Sequence, residues 1–336
     1  MYRVGVIGCG LILRRHIEAI RNNQGYALAA LCDVQEDILR DATVRYSANG
    51  YEKYQDMLKS ENLDLVVIAT PNGLHTKQSL YCLNNGCDVL IEKPVSINPE
   101  EVIIINKAAI DNNRKAYCVL QVRLNPAVQV FKHAIDKGLL GTIRGVNLMQ
   151  RWQRPMEYFT GWRAIPEIGG GTLYECGIHY LDILGYVLGH PKIVSSTVYT
   201  TKHIHSEIED TIYSLLDFES HGGTLEVTIS AEPHNLECSM SVLGSNGYIK
   251  LGGKAMNVIE TSNFLSHGCT VEFENMLKAA SIPNKPNSYG SYAGSCPNHT
   301  ELYAAMSEFE VMETYKTIKL IDDIYKRSNS EMRYYK

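Results

Sequence analysis

A short apolar run, Val4 to Ile7, ends in Gly8-Cys9-Gly10-Leu11-Ile12 and passes at once into an amphipathic stretch, Leu13 to Arg21. A buried strand that turns into a helix within two glycines forces a crossover, because the helix must return the chain to a neighbouring strand running the same way. The unit then repeats. Arg3 to Gly8, Ala27 to Asp33, Leu63 to Thr70, Asp88 to Glu92 and Ala116 to Val122 read as β-branched strands. Leu13 to Arg21, Gln35 to Arg45, Thr76 to Asn85 and Pro99 to Asn112 read as the helices between them. Near-continuous apolar strands alternating with helices predict a parallel, doubly wound α/β sheet over residues 1–122.

The period changes beyond that point. Asn125-Pro126 opens a helix that stops near Gly138, since proline suits a first helical position and glycine an end. Val146 to Trp152, Ile193 to Thr201, Thr211 to Phe218, Thr224 to Ala231, Cys238 to Val242 and Tyr248 to Leu251 then alternate apolar and polar residues. Turn signals at Ser220-His221-Gly222-Gly223 and Ser245-Asn246-Gly247 join them, as in an antiparallel sheet. An apolar helix from Gly171 to Leu188 interrupts this order, and helices over Glu301 to Glu313 and Tyr315 to Ser328 close it. Residues 123–336 are therefore expected to form an α+β domain with a large, mainly antiparallel sheet, and 336 residues suit two cores better than one.

Net charge is −5, so no global basic field draws in nucleic acid or an anionic membrane surface. No apolar stretch approaches the ~20 residues of a membrane span, and the opening Met-Tyr-Arg with its short apolar run does not read as a signal peptide. The nine cysteines include no Cys-x-x-Cys pair. Free thiols in a reducing cytoplasm, and no metal site, are the expectation.

The glycine turn has the context a dinucleotide site requires. Gly8 permits the tight turn, Gly10 lets backbone approach a pyrophosphate, and the helix N-terminus offers unpaired N–H groups to the anion. Leu13 replaces the usual third small residue, which sets the helix farther from the sheet. Asp33 ends the second strand about 20 residues on, where a carboxylate accepts from the ribose hydroxyls and repels a 2′-phosphate. NAD is expected over NADP, unless Arg14 and Arg15 turn inward from their solvated helix face.

Val89-Leu90-Ile91-Glu92-Lys93-Pro94 places a lysine at the carboxyl edge of the sheet, where the proline ends the strand. Repulsion from a cationic nicotinamide favours the neutral amine there, which suits proton exchange with a substrate hydroxyl. A glycine-rich approach, Gly169-Gly170-Gly171, precedes Glu175 and His179, four residues apart on one helix face, and Asp182 follows.

Together these motifs resemble the oxidoreductase family of glucose-fructose oxidoreductase and inositol dehydrogenase, known as Gfo/Idh/MocA. The resemblance rests on Val6-Ile7-Gly8-Cys9-Gly10, Ala69-Thr70-Pro71-Asn72 before His75, Glu92-Lys93-Pro94, and the glycine-led helix with His179 and Asp182. It implies an N-terminal Rossmann domain, NAD as cofactor, and a dimer or tetramer. It further implies that Lys93 and His179 flank the reacting carbon, with Glu175 in the proton relay where many relatives have Asp. Leu11, Ile12, Thr70, Pro71, Asn72, His75, Glu92 and Lys93 would line the cofactor, beside Gly8, Gly10 and Asp33.

Within the family, Gln121 to Pro126, Trp162 to Asp182, and Asn287 to Tyr292 leading to Asn298-His299 are similar to bacterial nucleotide-sugar 3-dehydrogenases acting on UDP-N-acetylglucosaminuronate in surface-polysaccharide assembly. Such a substrate needs cationic donors, and bidentate arginines suit both carboxylate and phosphate. Arg123, Arg151, Arg154 and Arg163 are candidates for this role, or else pair with surface acids. Trp152, Trp162, Tyr289 and Tyr292 face sugar or uracil, or pack in a sheet or subunit interface. Oxidation of a neutral nucleotide sugar, UDP-N-acetylglucosamine, or of a free sugar or polyol is the alternative chemistry. A non-catalytic NAD-binding sensor is the alternative class.

Overall fold

The computed structural model describes residues 1–280 and 297–328, with the backbone of Ser288–Tyr289, Tyr292–Ala293 and Arg333–Tyr334. Two compact units emerge, Met1–Gln121 with Pro297–Ile318, and Val122–Cys296 with Lys319–Lys336.

In the first unit the chain runs β1 (Tyr2–Ile7), α1 (Leu13–Asn22), β2 (Tyr26–Cys32), α2 (Glu36–Tyr46), β3 (Asn49–Tyr51), α3 (Tyr54–Ser60), β4 (Leu65–Ile68), α4 (His75–Asn84), β5 (Asp88–Ile91), α5 (Pro99–Asp111) and β6 (Ala116–Cys118). The sheet has the order β3-β2-β1-β4-β5-β6 with every pair parallel. The order reverses beside β1, and the switch point between β1 and β4 is where open α/β sheets bind ligands. Val4, Val6, Val66, Val67, Val89 and Leu90 are fully buried, each contributing about 1.5–3 kcal/mol of hydrophobic stabilisation. The α5 start follows from its sequence, because the Asn98 side chain accepts the Glu100 N–H at 3.0 Å and Pro99 takes the first position. β3 and α3 were not among the elements expected from the sequence.

Residues Pro297–Ile318 belong with this unit, whereas a contiguous split at 122 was expected. The expected helix over Glu301 to Glu313 is also broken, into α10 (His299–Ala304) and 3-10 turns at Met306–Glu308 and Val311–Thr314. The cause is backbone pairing at the sheet edge. Cys118 N–H donates to the Phe309 carbonyl at 2.9 Å, and Tyr117 bridges Glu310, so these groups are taken from any continuous helix.

In the second unit, α6 (Pro126–Asp136) is capped by Asn125, whose side chain accepts the Ala127 N–H at 3.2 Å. It is followed by β7 (Ile143–Arg151), α7 (Pro166–Gly169), α8 (Ile178–Leu188), β8 (Lys192–Thr200), β9 (Thr211–Asp217), β10 (Gly222–Thr228), β11 (Glu237–Gly244), β12 (Gly247–Gly252), β13 (Val258–Phe264), α9 (His267–Ala280), a short pair β14 (Ser288–Tyr289) and β15 (Tyr292–Ala293), the later part of α11 (Tyr315–Arg327), and β16 (Arg333–Tyr334). The large sheet has the order β13-β12-β11-β7-β10-β9-β8-β16 and is mainly antiparallel, β7/β10 and β8/β16 being parallel. Strand alternation divides it into two faces. Leu148, Ile212, Val227 and Met240 are buried on one, while Tyr213, Leu215, Leu243 and Tyr248 are exposed on the other.

The apolar helix expected from Gly171 begins as a π-turn over Leu173–Gly177 before α8 takes over. Such bulges are frequent at functional positions. A β-carbon on Gly177 would lie 3.6 Å from Val227, so this turn packs on the buried face of the sheet.

Candidate active site

In the first unit the ends of β1, β2, β4 and β5 gather the residues expected at the nucleotide. Gly8 has φ +100°, and a β-carbon there would stand 2.3 Å from the Ala69 carbonyl oxygen, so only glycine fits between β1 and β4. Asp33 spans the turn, Oδ2 accepting the Cys9 N–H at 2.8 Å and Oδ1 the Gln35 N–H at 2.9 Å. At the start of α1, Ile12 makes no side-chain cap and no acid occupies the first turn, while Leu11 stands exposed. An uncapped, acid-free helix N-terminus beside two glycines fits a dinucleotide pyrophosphate. Leu13 is buried, as a residue packing the helix onto the sheet must be.

After β4, Thr70 Oγ1 donates to Gln78 Oε1 at 2.5 Å, and Asn72 is buried. His75 Nε2 lies 2.8 Å from the Thr70 carbonyl and Nδ1 2.7 Å from the Pro94 carbonyl, so this ring ties the turn after β4 to the turn after β5. The Lys93–Pro94 bond is cis. Glu92 is fully buried, and burial pushes its carboxyl up, yet hydrogen bonds from His16 and His299 win and hold it well below the usual carboxylate range. Neither histidine was singled out from the sequence for this contact. His16 lies on an ordinary amphipathic helix and His299 is 207 residues from Glu92.

In the second unit the glycine-led turn holds Glu175, with His179 and Asp182 on α8, all buried. Glu175 Oε2 accepts from Arg163 Nε at 3.0 Å and from the Tyr158 hydroxyl at 3.4 Å. The sequence reading did not include Tyr158. Burial first, then the neighbouring Cys176 and Glu175, keep its phenol protonated well above the ordinary value. The Arg163 guanidinium stacks on Trp162 at 4.4 Å and on Tyr158 at 5.4 Å, and Arg154 lies 5.6 Å from the same Tyr158 ring. Arginine, aromatic and carboxylate groups thus interleave beside the π-turn.

The other arginines are placed differently. Arg123 forms a buried bidentate pair with Asp182, both contacts 2.8 Å. Arg151, expected either at a substrate anion or paired with acids, is paired with acids. Its guanidinium is held by Glu226 at 2.6 and 2.7 Å and by Glu237 at 3.1 Å. Alternation puts these side chains on the face away from Leu148 and Val227, opposite the π-turn. Trp152 is buried, with Nε1 donating to the Lys254 carbonyl at 2.9 Å, which makes it a core residue. The side chains of Tyr289 and Tyr292 lie outside the described residues.

A family model described as "Oxidoreductase family, NAD-binding Rossmann fold" matches residues 2–120, and one described as "GFO/IDH/MocA C-terminal domain" matches residues 128–250. The chain belongs to the Gfo/Idh/MocA oxidoreductase family. Its cofactor is NAD, and it is an NAD-dependent oxidoreductase with sugar dehydrogenases among its relatives. Among related proteins, D-glucoside 3-dehydrogenase of Escherichia coli is 26% identical over 246 residues, 66% of this chain and 68% of that protein. Inositol 2-dehydrogenase of Burkholderia ambifaria is 27% identical over 256 residues, 74% of this chain and 73% of that protein. The WlbA dehydrogenase from Bordetella pertussis, solved in complex with NADH and UDP-GlcNAcA, superposes with a TM-score of 0.86 at 28% identity, covering 97% of this chain and 95% of that one. WlbA from Chromobacterium violaceum, with the same two ligands, gives a TM-score of 0.84 at 28% identity, covering 97% and 93%. Among the described residues no helix is long and apolar enough to cross a membrane.

Proposed function

We propose that the chain oxidises the C3 hydroxyl of UDP-N-acetylglucosaminuronate with NAD, in the cytoplasm, as a step in making surface-polysaccharide sugars. The observation that carries this reading is the likeness over 97% of the chain to two dehydrogenases holding NADH and UDP-GlcNAcA. The Arg154, Tyr158 and Arg163 cluster supports it, since stacked guanidinium groups beside a polar turn suit a uronate or a diphosphate.

In this mechanism Lys93 accepts the hydroxyl proton, His179 assists, and Glu175 with Arg163 orients the helix turn that carries His179. NAD, when bound, supplies the hydride acceptor. The chain contributes position, which is worth several kcal/mol of the barrier when the reacting groups are held in near-attack geometry. Glu175 is longer by one methylene than the Asp of many relatives, and its bond to Arg163 fixes where that extra length goes. The apolar residues Tyr213, Leu215, Leu243 and Tyr248 on the exposed sheet face support a homo-oligomer, dimer or tetramer.

The glucoside and inositol dehydrogenases among the relatives favour a second reading, a neutral sugar or polyol substrate. Absorbance of reduced nicotinamide after mixing protein, NAD and either UDP-N-acetylglucosaminuronate or UDP-N-acetylglucosamine separates them, and a parallel reaction with a 2-oxo acid, read by the 2-hydroxy acid formed, detects turnover in which the cofactor stays bound. A signal with the uronate alone is expected. Equal signals, or turnover of inositol or a glucoside only, would refute the uronate assignment. Lys93→Met is expected to abolish turnover with NAD binding retained, and normal turnover by that variant would remove Lys93 from the mechanism.

A further inference from the structure

Glu92 is a buried carboxylate with both oxygens in use. Oε1 lies 3.1 Å from His16 Nε2 and 3.4 Å from His299 Nε2, and Oε2 accepts the backbone N–H of Lys93 at 3.1 Å. Behind it, His16 Nδ1 lies 3.0 Å from the Tyr303 hydroxyl, and the two imidazoles meet edge to face at 5.3 Å. His16, His299 and Tyr303 are all buried. A hydroxyl that donates to Nδ1 leaves the proton of neutral His16 on Nε2, where it faces the carboxylate. Burial keeps His16 neutral and so preserves that tautomer, while the donated bonds keep Glu92 ionised. Three separate pieces of chain, α1, the end of β5 and α10, thus converge on one carboxylate whose other oxygen holds the peptide of Lys93.

We infer that His16, His299 and Tyr303 form a positioning shell that fixes Glu92, and through its bond to the Lys93 N–H fixes the lysine at the end of β5, coupling that lysine to the nucleotide-binding helix α1. The inference rests on the reading of Lys93 as proton acceptor. The shell explains why a histidine on the buried side of α1 and a carboxylate at the strand end share one contact. A salt cluster serving stability alone has no need of the lysine's own amide. His16, Glu92 and His299 also have metal-ligand chemistry, with donor atoms within 4.8 Å of one another, but each imidazole Nε2 stands at hydrogen-bond distance from the Glu92 oxygen.

The test compares His16→Leu, which removes the donor, with His16→Gln, whose amide N–H reaches to the position of Nε2, in the NAD-bound full chain. Turnover is measured with whichever sugar the wild type oxidises, and exchange of the Lys93 amide proton is followed by NMR. His16→Leu should lower kcat by about tenfold or more while KM for NAD and sugar change less than about threefold, the signature of a misplaced reacting group. Lys93 amide exchange should accelerate with it, and His16→Gln should restore both. If the leucine variant does not fold, Tyr303→Phe, which removes only the hydroxyl at Nδ1, should shift the same two readouts in the same direction. A folded His16→Leu with kcat and Lys93 exchange unchanged would overturn the inference, as would stoichiometric zinc in the purified protein that the variant loses. If the wild type oxidises no sugar, the proposed reaction fails and the exchange measurement still decides the shell.

Discussion

Replacing Glu209 with glutamine should change how stability depends on pH. Glu209 is fully buried against the glycine-led turn, and its Oε1 accepts the Tyr325 hydroxyl at 2.6 Å and the Thr172 N–H at 2.8 Å. Burial dominates over those donors, and with Asp210 alongside, it pushes the carboxyl from 4.5 up to about 7. Between these values the folded protein holds a proton that the unfolded chain has released, so unfolding becomes easier as pH rises. The contribution is fully present below pH 4.5 and lost once pH passes about 7. At about 1.4 kcal/mol per tenfold change in proton affinity, the loss is ~3 kcal/mol. Glutamine keeps an acceptor for Tyr325 and Thr172 and does not titrate. Urea midpoints of both proteins between pH 4.5 and 8, subtracted at each pH, remove every other titrating group from the comparison. The stability of Glu209→Gln relative to wild type should climb by ~3 kcal/mol from pH 4.5 to 7.5 and level off above. A difference that stays flat across this range would refute the buried-proton account of Glu209.

Asp182→Asn should cost about 3–5 kcal/mol in urea unfolding, because Arg123 would keep a buried charge with its bidentate partner gone. An Arg123→Met/Asp182→Leu double variant should recover most of that stability. Gly8→Ala should destabilise by more than ~2 kcal/mol and abolish NAD binding measured by calorimetry, since its β-carbon meets the Ala69 carbonyl at a positive φ. Asp33→Asn should weaken NAD by about tenfold while narrowing the preference over NADP, read from the two dissociation constants. Unchanged preference would show that Asp33 serves the turn through Cys9 and Gln35 rather than the ribose.

The parallel sheet was legible because its strands are apolar on both faces and its turns carry glycine, proline and a caps-forming asparagine, each a local cause. Elements stabilised from outside their own sequence were not. Residues of β3 make a three-residue edge that exists through pairing with β2. Helix α9 buries only Phe273, so its apolar period is weak. The return of Pro297–Ile318 depends on backbone bonds to β6 and on His299 and Tyr303, which no local pattern announces.

The candidate site shows the same division with a chemical consequence. Gly8, Asp33 and Glu92-Lys93-Pro94 are read from strand ends, and strand ends survive small errors of register. The arginines are not read so safely, because one residue along a strand reverses the face. Gln150 and Trp152 point into the core, so Arg151 between them must point away, toward Glu226 and Glu237. An anion binding at Arg151 would have to displace two carboxylates, and at Arg123 it would have to open a buried pair. Arg163 is 35% exposed at its side chain and shares one carboxylate oxygen with Tyr158. In the proposed mechanism, recruiting it to a substrate anion would loosen its bond to Glu175 while Tyr158 still donates to the same oxygen, so charge on the substrate would bear on the proposed proton relay through the Arg163–Glu175 pair. Arg163→Lys keeps the charge but loses the stacked plane, and a rise in KM confined to the uronate is the expected result. A uniform rise for charged and neutral sugars alike would place Arg163 in the support of Glu175 and leave recognition of the carboxylate to another residue.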